Sequence, residues 1–120
     1  MPGLRNSLTN YMPTACVVTG TVTYSGATPS LTALSGSDQD QACVTIAAVS
    51  TGVATITVTG FRGSNGSLKG FATGTTISNM VSCTAGTYTT GTNTANFTFK
   101  VEDDGSTAVD NGYNFQLWAD

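Results

Sequence analysis

The sequence contains no histidine. Histidine is the commonest general base, the usual partner of a serine or cysteine nucleophile and the commonest metal ligand, so its absence removes most hydrolase mechanisms at once. Charge is almost as scarce. Only 9% of the 120 residues are charged, against about 25% in an average soluble domain. Glu102 is the only glutamate, and Lys69 and Lys100 are the only lysines. A solvated helix face held by i,i+4 ion pairs cannot easily be built from this set, so helices are expected to be absent or very short. Arg5, Arg62, Lys69 and Lys100 are scattered along a chain of net charge −3. That argues against nucleic acid, which needs a basic stripe.

Long apolar runs are also missing. None approaches the roughly 18 residues that cross a bilayer, and the first residues lack the charged, apolar and small-residue regions of a signal peptide. Neither a membrane partner nor secretory export is expected. The three cysteines, Cys16, Cys43 and Cys83, cannot all pair with one another, and their spacing matches no zinc pattern. Two readings stay open: three reduced, mostly buried thiols made in a reducing cytoplasm, or one disulfide with a free thiol.

What is present is threonine, about a fifth of the chain. Threonine is stiff at χ1 and suits the half-exposed face of a pleated sheet. The chain is long enough for one domain and hardly more. Residues 1–14 (MPGLRNSLTNYMPT) follow neither a helical nor a strand period, yet Leu4, Leu8, Tyr11 and Met12 make them more apolar than a solvated tail needs. They read as an extended arm that docks on a partner, with a β-sandwich domain over residues 15–120.

From Ala15 the text alternates. Cys16, Val18, Val22 and Tyr24 fall on one face and Val17, Thr19, Thr21 and Thr23 on the other, with a bend at Gly20. A turn at Ser25-Gly26 and a short strand over Leu31 to Leu34 follow, then a polar loop from Ser35 to Gln41. Residues 42–49 and 53–59 flank Ser50-Thr51-Gly52, which predicts a bulged hairpin. The glycine-rich residues 61–74 are expected to be mostly loop, with a short edge strand over Leu68 to Ala72. Residues 77–83 and 86–90 are two weaker strands. The last two strands are clear: Ala95, Phe97, Phe99 and Val101 alternate with polar residues, as do Tyr113, Phe115, Leu117 and Ala119. The fold expected is all-β, a single jelly-roll-like antiparallel sandwich of about 7–9 short strands.

Few residues offer chemistry. Asp38, Asp40, Asp103, Asp104 and Asp110 include the makings of a glycosidase pair, but all lie among Gly, Ser and Asn, where aspartate serves turns. Glu102, Asp103, Asp104 and Asp110 offer oxygen ligands for calcium in a spacing unlike an EF-hand, and a solvated turn explains them better. The segment from Gly60 to Gly66 lacks the lysine of a phosphate loop, although Phe61 and Arg62 within it are residue types that binding surfaces favour. Trp118 falls opposite Tyr113, Phe115 and Leu117, so it either points outward as an interface anchor or lies in a strand covered on both sides. No catalytic residue, metal or cofactor is expected.

The apolar-dotted arm MPGLRNSLTNYMPT, the Thr/Gly/Ser strands such as VATITVTG and the ending FTFKVEDDGSTAVDNGYNFQLWAD together resemble the small β-sandwich virion proteins of tailed bacteriophages, above all the capsid decoration or cement proteins. The resemblance implies a homotrimer on the capsid surface, made in the host cytoplasm, that binds neighbouring major capsid subunits. It matches Leu4, Arg5, Leu8, Tyr11 and Met12 to a capsid-grasping extension. The three cysteines depart from that pattern. The alternative is a phage fibre, tail or carbohydrate-recognition module, stacking sugars on Phe61, Tyr88, Tyr113 or Trp118. Trp118, Phe61 and Arg62 are the expected self-association or recognition residues.

Overall fold

The computed structural model describes residues 17–36 and 43–119, which form an all-β sandwich of eight antiparallel strands in two four-stranded sheets. The strands are β1 (Val18–Ser25), β2 (Thr28–Gly36), β3 (Val44–Ser50), β4 (Val53–Thr59), β5 (Leu68–Gly74), β6 (Met80–Thr89), β7 (Thr94–Glu102) and β8 (Tyr113–Ala119). The first sheet runs β2-β1-β8-β5 and the second β3-β4-β7-β6. The arm of residues 1–14, Cys16 and most of the polar loop after β2 lie outside the described residues.

Alternation builds the core. Ala95, Phe97, Phe99 and Val101 of β7 are all fully buried, and Tyr113, Phe115, Leu117 and Ala119 of β8 face them from the other sheet. The rings meet across the interface: Phe99 lies 5.5 Å from Tyr113 and 6.5 Å from Phe115. Opposite parity stays outside. On the second sheet Thr55 and Thr98 share a hydroxyl hydrogen bond of 3.0 Å, and Thr57 donates to Asn96 Oδ1 at 2.7 Å. The threonines of that face thus satisfy one another across strands.

Three local features differ from the reading of the sequence. The hairpin between β3 and β4 turns on two residues, Thr51 and Gly52, with Ser50 paired to Val53 and the bulge moved to Val49. Gly52 sits at φ +73°, and a side chain there would run into the Val101 carbonyl and the Val109 amide, so the turn demands glycine twice over. The expected bend at Gly20 is a bulge in its neighbour: pairing slips between Thr19/Ser35 and Thr21/Thr32, leaving Ala33 and Leu34 opposite Gly20. Ala33 adopts φ +52°, and a Cβ at Gly20 would collide with Leu34 and Phe115. The two weak strands after residue 77 are one, β6, carried through a bulge between Cys83 and Ala85.

The register fixes two ends. One end gathers the β1–β2 turn, the β3–β4 turn, the β5–β6 connection at residues 75–79 and the loop 103–112. The other gathers the start of β1, the Gly-rich residues 60–67, the β6–β7 turn and the end of β8. We call these the loop end and the arm end, because residues 1–16 join the sandwich at the second.

Candidate functional site

The aspartates come first, because they are the only side chains with the makings of catalysis. Asp103 Oδ1 accepts the backbone N–H groups of Gly105 (2.9 Å) and Thr107 (3.0 Å), which closes a tight turn. Asp110 Oδ1 accepts the Gly52 N–H at 2.7 Å. That bond ties loop 103–112 to the β3–β4 turn, alongside Val101 N–H to Gly52 carbonyl (2.8 Å) and Val109 N–H to Val101 carbonyl (3.1 Å). Both carboxylates are therefore engaged with backbone. Among the described residues no group of three or more acidic or cysteine side chains gathers to hold a metal, and Asp38 and Asp40 lie outside them.

Several expected recognition residues are interior. Phe61 is fully buried and packs edge-on against Phe97 at 5.6 Å, so the aromatic-plus-arginine contact expected of Phe61 and Arg62 is corrected to Arg62 alone, which is exposed. The cause is the hydrophobic effect: the glycines around Phe61 let the chain bend its ring back into the core. Tyr88 and Tyr113 are likewise buried and present no ring for stacking on a sugar. The Tyr88 hydroxyl donates to the Phe61 carbonyl at 2.7 Å and lies 3.1 Å from Asn93 Oδ1, while its own N–H donates to Asn65 Oδ1 at 2.9 Å.

Trp118 does lie on the outer parity of β8, half-buried, with Lys69 as its cross-strand partner. Next to that pair is Phe71, opposite Gln116 and 59% exposed. The sequence reading missed Phe71. Its signal was the small residues Gly70 and Ala72 on the alternate parity, which mark the inward face of β5; a Cβ at Gly70 would meet Cys83 Sγ at 2.9 Å.

The loop end holds the other missed residues. Ile77 is wholly exposed, Met80 is 73% exposed and Val49 is 62% exposed. Three buried side-chain atoms without a hydrogen-bond partner, Tyr24 Oη, Asn79 Nδ2 and Tyr113 Oη, are at this end too. Burial, with the nearby Asp110 charge, raises the Tyr24 phenol above its ordinary value. Tyr113 is pushed up further, by burial first and then by Tyr24 and Cys83.

Cys43 and Cys83 are both free thiols and only partly buried, less enclosed than expected. Burial raises the Cys83 thiol above its usual value, which leaves little thiolate near neutral pH. Cys83 lines an open groove of about 360 Å³ between the free edges of β5 and β6, with Leu68, Gly70, Gly86 and Phe97. Comparison of the chain with family models, curated proteins and solved structures finds no match.

Proposed function

We propose that this chain is a non-enzymatic structural protein of a virus particle, a capsid decoration or cement protein that binds neighbouring major capsid subunits and stabilises the shell. The observation that carries this reading is the chemistry of the loop end, where exposed Val49, Ile77 and Met80 stand on a well-packed sandwich. Covering apolar surface stabilises a complex by about 25 cal/mol per Å² removed from water.

Residues 1–14, with Leu4, Arg5, Leu8, Tyr11 and Met12, add the arm as a further contact in this reading. Multivalency then lets modest contacts hold a shell, because each further contact forms at high effective concentration. Assembly as a homotrimer belongs to the same reading. The engagement of Asp103 and Asp110 with backbone amides supports the non-enzymatic part.

A thermal or osmotic challenge to particles with and without the protein tests the proposal. Particles lacking it are expected to lose their genome at lower temperature; equal survival would remove the stabilising role. Deleting residues 1–14 is expected to abolish particle binding while the trimer persists in sedimentation.

A further inference from the structure

The outer face of the first sheet differs in kind from that of the second. Among the described residues its outward positions are Thr and Ser on β1 and β2, Asn114, Gln116 and Trp118 on β8, and Lys69, Phe71 and Thr73 on β5. It carries one cation and no carboxylate. Phe71 borders a shallow depression of about 180 Å³ shaped with Thr19, Thr73, Asn114 and Gln116. Lys69 pairs with Trp118 and Phe71 with Gln116, so the two aromatic residues are diagonal neighbours about 7–8 Å apart.

Charge separates the ligand classes. A nucleic acid needs several cations, and a basic peptide needs acids, of which the described outward positions carry none. A protein interface has an apolar core, whereas here the hydroxyls and amides of Thr19, Thr73, Asn114 and Gln116 surround Phe71. A sugar ring combines an apolar C–H face with a rim of hydroxyls, which matches an exposed aromatic flanked by neutral donors and acceptors. Lys69, the one cation among the described outward positions, complements a carboxylate on such a sugar and repels no neutral one. The Thr21 hydroxyl donates to Asn114 Oδ1 at 2.7 Å, which turns the Asn114 NH₂ into the group offered to a ligand.

We propose that the Phe71–Trp118 face of the first sheet is an oligosaccharide-binding site, with the aromatic side chains stacking on sugar rings and Asn114, Gln116 and Lys69 bonding to the hydroxyl or carboxylate rim. This site is distinct from the loop-end contact proposed above, since Val49, Ile77 and Met80 are not among its residues.

The test is affinity electrophoresis of the full chain through native gels containing laminarin, xylan, mannan or alginate. At least one polymer is expected to retard the protein. Phe71→Ala and Trp118→Ala are expected to weaken that retardation at least tenfold, with circular dichroism unchanged. Phe71→Tyr and Ile77→Ser are expected to keep it, the latter separating sugar binding from shell binding. Gln116→Ala, which leaves both rings in place, is expected to weaken binding less than either ring deletion. The proposal is overturned if no polymer retards the chain or if both ring deletions migrate as the parent does. It is equally overturned if those deletions split an oligomer in sedimentation, which would make the face a contact between copies.

Discussion

The two ends of the sandwich are made from similar turn-rich text and have opposite surface chemistry. At the arm end the polar side chains turn inward: Tyr88, Asn65 and Asn93 spend their hydrogen bonds on one another and on the backbone around buried Phe61, and Ser67 and Ser64 close the glycine-rich loop. At the loop end Asp110 braces the backbone, but Ile77 and Met80 face water and Tyr24, Asn79 and Tyr113 carry buried atoms with no partner. Among the described residues, the buried side-chain polar atoms left without a partner are all at the loop end. Loop composition alone therefore does not separate the two ends; satisfaction of buried polar groups and exposure of apolar ones does.

The contrast is broken most severely by Phe61→Ala, which empties the plug of the arm end. It is expected to cost about 3–5 kcal/mol in urea unfolding, and a cost below about 1 kcal/mol would mean the ring is not in the core. Tyr88→Phe is expected to cost about 1–3 kcal/mol, because it leaves the buried Phe61 carbonyl without its donor. Asp110→Ala, which strips the acceptor from the Gly52 N–H, is expected to destabilise by about 1–2 kcal/mol and to speed amide exchange at Gly52 and Val101. The same chemical change at the loop end has the opposite sign: Tyr113→Phe removes an unpartnered hydroxyl, so stability stays level or rises by up to about 1 kcal/mol. Ile77→Ser, on the surface, is expected to stay within about 0.5 kcal/mol.

Alkaline titration sharpens the same pair. Tyr24 and Tyr113 hold their protons more tightly folded than unfolded, so the stability they contribute is fully present below the ordinary phenol value of about 10 and falls as pH rises from there. Unfolding monitored from pH 8 to 12 is expected to show that decline, and Tyr113→Phe is expected to flatten it. An unchanged slope in the variant would place the loss elsewhere.

Much of the fold was legible because the strongest strands have one wet face. The alternation in β7 and β8 foretold which residues are buried, and the same parity put Trp118 outside. Legibility failed where tertiary context overrides local text. Phe61 sits among glycines that read as loop, and only its packing against Phe97 in the core explains its burial. β6 reads as two strands because its bulge interrupts the alternation. Ile77 looked like the start of a strand and instead lies fully exposed in the connection before β6. Of the candidate contacts, Arg62 and Trp118 kept a surface position, Phe71 was hidden by its glycine-rich neighbours, and the arm residues from Leu4 to Met12 lie outside the described residues.

The most direct test of the proposed shell contact is cosedimentation of the full chain with the assembled viral shells it is proposed to decorate, comparing the parent with an Ile77→Ser, Met80→Ser double variant. The variant is expected to unfold at the parent's temperature yet bind the shells at least tenfold more weakly. Undiminished binding by a folded variant would contradict the assignment of the loop end to the shell contact.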